Sequence, residues 1–294
     1  MTLIQILNMS MIYPNGKGVF DINFNVQEGE VFGFLGPNGA GKTTTIRQLL
    51  GFTNATKGKC IIDGMDTRLE AYKIQKVLGY LPGEIAFFDN MTGNEFLTFM
   101  EEMRGNNCHR KEELIEYFEL ETENKIRKMS KGMKQKLGLV AAFMHDPKIL
   151  ILDEPTSGLD PLMQRKFIDL INKEKKRNKT ILMSSHIFDE VDKTCDRAAI
   201  IKEGRIVALD YIPTLKENIR KSFFVTLRSK DDIEIIEKSG LKYILIDENI
   251  LEIFVEKNFD LFFKTLSKCN VESLDASEQT LEQIFIRYYG SDKI

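Results

Sequence analysis

The chain has 294 residues, of which 43% are hydrophobic and 29% charged, and its formal net charge is -3. The length suits one large or two modest globular domains, and the composition is ordinary for such proteins. A charge this close to neutral, without a dense block of Lys and Arg, argues against nucleic acid as a partner.

The cysteines and the N-terminus indicate a soluble intracellular protein. The four cysteines lie far apart without a Cys-x-x-Cys pair, so free thiols and no zinc site are expected. The first residues lack the pattern of a secretion signal. No apolar stretch reaches the roughly 18 residues that a membrane-spanning helix needs.

The first segments predict strands followed by a helix. Alternating residues at 3–9 and 19–26 predict two strands. The apolar run 31–35 predicts a buried strand, and 43–50 predicts a helix. Between that strand and that helix lies a complete Gly-x-x-x-x-Gly-Lys-Thr pattern, made of Gly36, Pro37, Asn38, Gly39, Ala40, Gly41, Lys42 and Thr43.

This pattern is typical of a phosphate-binding loop. Its glycines let successive N–H groups point at phosphate oxygens, and the helix N-terminus adds a favourable dipole. Lys42 would contact the outer phosphates, and the Thr43 hydroxyl would ligate Mg²⁺. The strand before it and the helix after it favour this function over an ordinary glycine-rich turn.

The middle of the chain contains a second segment that indicates nucleotide chemistry. Residues from about 90 to 145 are expected to be mainly helical, and the apolar runs 149–152 and 180–183 are typical of strands in a parallel sheet. Asp153 and Glu154 follow the first run, where open α/β sheets place their ligands. There Asp153 would hold Mg²⁺, and Glu154 would polarise a water for attack on the terminal phosphate.

Three further segments carry a resemblance to a known family. Residues 153–161 resemble the joined second nucleotide motif and D-loop of ATP-binding cassette (ABC) ATPases. Residues 129–135 resemble the signature motif of that family, and 184–186 resemble its switch histidine. The order and spacing agree over residues 1 to about 215. The tail from residue 222 resembles the C-terminal extension of drug-export-type subunits.

The resemblance implies an α/β P-loop NTPase cassette in residues 1–215. This cassette would have a parallel RecA-like core sheet, antiparallel N-terminal strands and a helical subdomain at about 84–146. Residues 216–294 would form a small α+β C-terminal domain. Catalysis is expected from Glu154, His186 and Lys42, with Mg²⁺ held by Thr43 and Asp153. The implied ATP contacts are Tyr13, Gly36, Pro37, Asn38, Gly39, Ala40, Gly41, Lys42, Thr43, Thr44, Ser130, Gly132 and Asp160.

Several of these residues also have a structural interpretation, and three positions depart from the family pattern. Ser130 suits a helix cap, and Tyr13 suits a half-buried strand aromatic instead of an adenine platform. In the signature, Lys131 stands where the family has a glycine and Met133 where it has a glutamine. Gly83 stands where the family has a Mg²⁺-binding glutamine. Glu84 either substitutes for that glutamine, or the Pro82–Gly83 turn acts as a hinge.

The resemblance also implies partners. One phosphate loop and one signature per chain imply two ATP-binding subunits, most simply a homodimer. They would act with an integral membrane permease, peripherally on the inner face of the cell membrane, to drive export. Residues 84–103 would form the docking region. The alternatives are a soluble ABC-type ATPase of DNA repair or translation, and a GTPase, although residues 172–175 lack the Asp of a guanine-reading Asn-Lys-x-Asp.

Overall fold

The structure is a computed structural model that describes residues 1–105, 108–217, 221–255, 259–276, 280–283 and 285. The chain divides into two compact units, Met1–Ile212 and Pro213–Ile294. The predicted domain boundary at 215/216 lies a few residues later, inside a short helix. Among the described residues, no helix is both long and apolar enough to cross a bilayer.

The elements up to the start of the second unit, in chain order, are β1 (Thr2–Ile12), β2 (Gly18–Gln27), β3 (Val31–Leu35), α1 (Lys42–Leu49), β4 (Lys57–Ile62), β5 (Met65–Asp66), α2 (Ala71–Val77), β6 (Leu78–Leu81), α3 (Gly93–Met103), α4 (Lys111–Tyr117), α5 (Lys131–Phe143), β7 (Ile149–Asp153), α6 (Pro161–Lys176), β8 (Thr180–Ser185), α7 (Phe188–Thr194), β9 (Arg197–Lys202), β10 (Arg205–Tyr211) and α8 (Ile212–Glu217). The later elements are β11 (Lys221–Leu227), α9 (Ile233–Ser239), β12 (Lys242–Asp247), β13 (Ile250–Val255), α10 (Phe259–Leu266) and β14 (Val271–Ala276).

A six-stranded sheet in the order β10-β9-β3-β8-β7-β6 forms the centre of the first unit. Its strands run parallel except for β10, which pairs antiparallel with β9. Every residue of β3, β7 and β8 is buried, as expected for strands covered on both faces. The predicted parallel core sheet is therefore confirmed. A second, antiparallel sheet has the order β2-β1-β4-β5, which confirms the predicted N-terminal strands.

The predicted helical region contains α3, α4 and α5. Helix α3 begins with a capping box, in which Thr92 and Glu95 each hydrogen-bond the other's backbone N–H. In the segment before α3, Phe87 is half-buried and packs edge-on against Phe96, with ring centroids 5.0 Å apart. Phe88 remains 54% exposed. Of these two neighbouring aromatic side chains in the predicted docking region, Phe88 is therefore the one on the surface.

The second unit is a four-stranded antiparallel sheet in the order β12-β13-β11-β14. The core of this unit includes Val225, Ile236, Ile253 and Phe262, which lie on β11, α9, β13 and α10. This is the small α+β fold predicted for the tail. The end of the tail, at residues 284 and 286–294, lies outside the described residues.

The burial of β7 leads to a prediction about the stability of the protein. Leu150 is fully buried in β7, an internal strand of the sheet, so Leu150→Ala should lower the free energy of unfolding by roughly 2–5 kcal/mol, because it leaves a cavity. Leu69, which is 81% exposed, provides the matched control, and Leu69→Ala should change stability by less than about 0.5 kcal/mol. Urea denaturation measures both. Equal small shifts would contradict the described sheet.

Candidate active site

The phosphate loop connects the end of β3 to the start of α1. Gly41 immediately precedes the helix with φ = 114°, a conformation that favours glycine. A side chain at Gly41 would also collide with Val19, because its Cβ would lie 2.5 Å from Val19 Cγ1. At Gly36, a Cβ would lie 2.7 Å from the carbonyl oxygen of Ile201. These two glycines are therefore required by backbone conformation and by packing.

The Lys42 side chain folds back over this loop and is only 5% exposed. Its Nζ donates to the carbonyl oxygens of Gly36, at 2.6 Å, and Pro37, at 3.2 Å. The same ammonium lies 2.9 Å from Glu154 Oε1. A nearly buried ammonium needs such partners, because desolvation penalises an unpaired charge. Lys42 and Glu154, predicted from separate motifs, are thus in direct contact.

Glu154 lies between two cationic or ionisable partners. Its Oε1 pairs with Lys42, and its Oε2 is hydrogen-bonded to His186 Nδ1. Its backbone has φ = 52°, a left-handed conformation that is uncommon for a residue with a side chain. The Glu154 N–H donates to Ser184, to the carbonyl oxygen at 3.2 Å and to Oγ at 3.1 Å. The structure therefore brings together the three residues predicted to be catalytic.

Asp153 is fully buried at the carboxyl end of β7. Its Oδ1 accepts a hydrogen bond from Ser184 Oγ, whereas its Oδ2 has no hydrogen-bond partner among the described residues. Gly83 lies directly against this free oxygen, since a Cβ there would be 3.2 Å from Oδ2. A buried carboxylate oxygen without a partner is costly, so this oxygen fits a cation ligand.

A pocket of about 600 Å³ opens over the loop, a volume that suits a nucleotide-sized ligand. Its lining combines residues from the phosphate loop, the end of β6 and the loops after β7 and β8. The lining residues are Pro37, Asn38, Gly39, Gly41, Lys42, Thr43, Thr44, Arg47, Tyr80, Pro82, Gly83, Glu84, Lys131, Glu154, Ser157 and His186.

Six predicted ATP contacts lie outside this lining: Tyr13, Gly36, Ala40, Ser130, Gly132 and Asp160. Ser130 caps α5 by accepting from the Met133 N–H at 3.2 Å, and Asp160 caps α6 by accepting from the Met163 N–H at 3.0 Å. Both side chains therefore have structural partners within the chain. Their contacts with nucleotide remain predictions.

The signature region contacts the loop that follows Glu154. Lys131 Nζ donates to Ser157 Oγ at 2.9 Å, and both residues line the pocket. Gly132 packs so closely that a Cβ would lie 2.8 Å from the carbonyl oxygen of Gly158. Lys131 was noted from the sequence only as a departure from the family pattern and was not predicted as a site residue. Its charge at a position expected to hold glycine was the signal that could have marked it as a site residue.

Glu190 is a buried carboxyl that was not among the site residues predicted from the sequence. It lies on α7 and is 2% exposed. Its Oε2 accepts hydrogen bonds from Thr156 Oγ1, at 3.0 Å, and Ser185 Oγ, at 2.8 Å. Burial, reinforced by the nearby Glu154 carboxylate and opposed by the two hydroxyls, raises the pKa of Glu190 to about 7. Glu190 thus joins the loops that carry Glu154 and His186.

The fold and the site define a P-loop nucleotide-binding ATPase, and comparison with known proteins gives the family. Residues 19–157 match the ABC transporter family model. Over its full length the chain is 35% identical to the bacitracin transport ATP-binding protein BcrA of Bacillus licheniformis, covering 99% of it. It is 30% identical to the linearmycin resistance ATP-binding protein LnrL of Bacillus subtilis, with 98% of each chain covered.

Solved structures agree with this result. A structure of an ATP-binding subunit of an ABC transporter superposes with a TM-score of 0.67 at 29% identity, covering 73% of this chain and 92% of that one. A dimeric cassette bound to ADP and phosphate has the same fold, with a TM-score of 0.66 at 22% identity and coverage of 71% and 99%. The chain belongs to the ABC transporter family, as an ATP-binding and ATP-hydrolysing subunit.

The raised pKa of Glu190 leads to a prediction about how the stability of the protein depends on pH. Because the folded protein favours the protonated carboxyl, its stabilising contribution is present below the unfolded pKa and is lost as the pH rises through about 7. A glutamine cannot ionise. The melting temperature of Glu190→Gln, relative to the wild type, should therefore increase as the pH is raised from about 5 to about 8.

The neighbouring Asp189 provides the control, because its side chain is 66% exposed and pairs with Lys193. Asp189→Asn should show no comparable rise over the same pH range. Thermal denaturation across that range measures both variants. Parallel curves for the wild type and Glu190→Gln would show that Glu190 does not titrate in this way.

Proposed function

We propose that two copies of this chain hydrolyse ATP at shared sites and power export through a separate membrane permease. The observation that carries the hydrolytic part is the contact of the Glu154 carboxylate with both Lys42 and His186 at the rim of the pocket. This contact supports a site that combines a proton acceptor, a phosphate-binding cation and an orienting imidazole.

The proposed reaction begins with an exchange of partners at Lys42. When ATP occupies the loop, the ammonium leaves the carbonyl oxygens of Gly36 and Pro37 and binds phosphate oxygens instead. Glu154, released from Lys42, then accepts a proton from a water that attacks the terminal phosphorus. The bond from that phosphorus to the bridging oxygen breaks, giving ADP and phosphate. His186 holds the Glu154 carboxylate in position and is free to donate to the departing phosphate.

Mg²⁺ is proposed as the cofactor, with Asp153 and Thr43 as its protein ligands. The buried Asp153 Oδ2 without a partner supports this assignment. One or two protein oxygens, together with phosphate oxygens and water, are the usual ligands of Mg²⁺ at nucleotide sites. When bound, the metal neutralises charge that develops on the phosphates. Glu84, which also lines the pocket, is the candidate additional ligand in place of the family's glutamine.

The shared site is proposed because Ser130 and Gly132 of the signature lie outside the pocket of their own chain. Ser130 and Gly132 open helix α5, whose N-terminus carries a partial positive charge suited to phosphate. In a two-chain arrangement, the signature of one chain would close over the ATP bound by the other. The dimeric structure of a related cassette is consistent with this arrangement. ATP then acts as a switch because it binds the closed state more tightly than the open one.

The permease and the direction of transport are inferred from relatives. Both full-length relatives are ATP-binding proteins, one for bacitracin transport and one for linearmycin resistance. We therefore propose export, with the chain peripheral to the inner face of the cell membrane. Residues 84–103, with the exposed Phe88, form the proposed docking segment. Co-purification with a permease from detergent-solubilised membranes tests this part, and consistent absence of a membrane partner would favour a soluble ABC-type ATPase.

The catalytic assignment predicts the behaviour of Glu154→Gln. This variant should bind ATP but hydrolyse it ~10²–10⁴-fold more slowly, because the amide cannot accept the proton of the attacking water. Steady-state turnover and equilibrium ATP binding measure the two effects. Lys42→Ala is the contrasting variant and should weaken nucleotide binding itself, since the phosphates lose their cation. Near-normal turnover by Glu154→Gln would refute the assignment.

The shared-site assignment predicts the behaviour of mixed dimers. When Lys42→Ala and Ser130→Arg are on different chains, one shared site contains both changes and the other contains none. When both changes are on the same chain, each shared site contains one, so ATPase activity should be lower. Purified dimers with two affinity tags allow this comparison. If each chain used its own signature, the order of the two activities would be reversed.

A further inference from the structure

The first turns of helix α5 are hydrogen-bonded to the backbone that follows strand β7. Gln135 lies one turn into the helix and is 4% exposed. Its Nε2 donates to the carbonyl oxygen of Pro155 at 2.8 Å and to that of Glu154 at 3.3 Å. Because both partners are acceptors, the amide must point its NH₂ group towards them. The contact is therefore specific to an amide donor at this position.

The Glu154 backbone is held on both sides. Its N–H donates to Ser184, and its carbonyl oxygen accepts from Gln135 and from the Ser157 N–H at 3.1 Å. These bonds fix the two peptide planes that flank its left-handed φ of 52°. Such a conformation is strained for a residue with a side chain and persists only where the surroundings impose it. Gln135 is a buried part of those surroundings.

We propose that Gln135 is a positioning residue for Glu154, so that its amide sets the direction of the carboxylate that activates water. This inference rests on the proposed role of Glu154. The Glu154 side chain must meet both Lys42 and His186, and a small rotation of its backbone would move the carboxylate away from them. Misplacement of a reacting group by about 1 Å can cost 10²-fold in rate. Gln135 is well suited to prevent this, because it projects from a rigid helix.

The same helix begins at the signature. Ser130 caps it, and Gly132 packs against the carbonyl oxygen of Gly158. Gln135 thus connects the helix whose N-terminus is proposed to meet the partner's ATP with the Glu154 of its own site. A shift of α5 on closure would reach Glu154 through this amide. Gln135 therefore links closure of one site to alignment of the base in the other.

The first test removes the donor and keeps a side chain of comparable size. Gln135→Leu should lower kcat by about 10–100-fold and leave the KM for ATP within about twofold, because the phosphate-binding residues are untouched. Gln164 supplies a matched control on α6, since its Nε2 donates to the carbonyl oxygen of Leu159 at 3.2 Å, on the same loop but away from Glu154. Gln164→Leu should keep kcat within about twofold.

A second variant tests the donor directly and also serves if Gln135→Leu does not fold. In Gln135→Glu, an ionised carboxylate would repel the two carbonyl oxygens, whereas the protonated acid can donate to one of them. The kcat of this variant, as a fraction of the wild-type kcat at the same pH, should therefore rise as the pH is lowered from about 8 to about 6. A purely structural role would lower stability without this pH-dependent recovery of kcat.

The outcomes separate this inference from the proposed function. If Glu154→Gln loses turnover while Gln135→Leu keeps it, Gln135 does not position the base and the inference is wrong. The inference is also wrong if the kcat of Gln135→Glu, as a fraction of the wild-type kcat, does not change with pH. If Glu154→Gln turns over normally, the proposed role of Glu154 fails, and the inference fails with it. Loss of kcat in both Gln135 variants, with recovery of Gln135→Glu at lower pH, supports the assignment.

Discussion

The register of three buried parallel strands is the constraint on which the active site depends. Strand β8 lies between β3 and β7, with Ser185 opposite Leu35 and Ser184 opposite Asp153. Three segments far apart in sequence therefore end at one edge of the sheet: the phosphate loop, the Asp153–Glu154 pair and the His186 loop. A slip of one residue would turn alternate side chains to the opposite face. Asp153 would then leave Ser184, and Glu154 would leave Lys42.

The charged side chains at this edge, Lys42 and Asp153, differ in whether they have partners within the protein, and this difference suits the binding of a polyanion with a metal ion. Lys42 is nearly buried, and its partners are Glu154 and two carbonyl oxygens of its own loop. Phosphate oxygens can replace those partners without leaving the ammonium unpaired. Asp153 presents the opposite case, since one of its buried oxygens lacks a partner among the described residues. The Lys42 ammonium thus has its partners within the protein, whereas the Asp153 carboxylate has an oxygen available for a metal ion.

The residues predicted from sequence are those whose chemistry is concentrated in a short segment. The phosphate loop, Asp153 and Glu154 each stand in a local pattern with a fixed relation to a strand, so their meeting follows from parallel topology. The parallel core sheet was predicted for the same reason. Gln135 lies in the predicted signature segment, but its contact with Pro155 was not predicted, because the two residues are 20 apart in sequence. The contact of Glu190 with Thr156, 34 residues away, was not predicted for the same reason. A local pattern does not indicate which distant group a buried amide or carboxyl contacts.

The sequence by itself determined the class of fold, the phosphate loop and the identity of the acidic pair, because these depend on residue type at fixed local spacing. It also left two interpretations open for Ser130, as a helix cap and as a phosphate contact. Only the tertiary structure decided that Ser130 caps α5 and that Lys131 reaches Ser157. The same holds for the exposure of Phe88 and the burial of Glu190. These features depend on how distant segments pack, and packing is a property of the whole fold that a local sequence pattern does not encode.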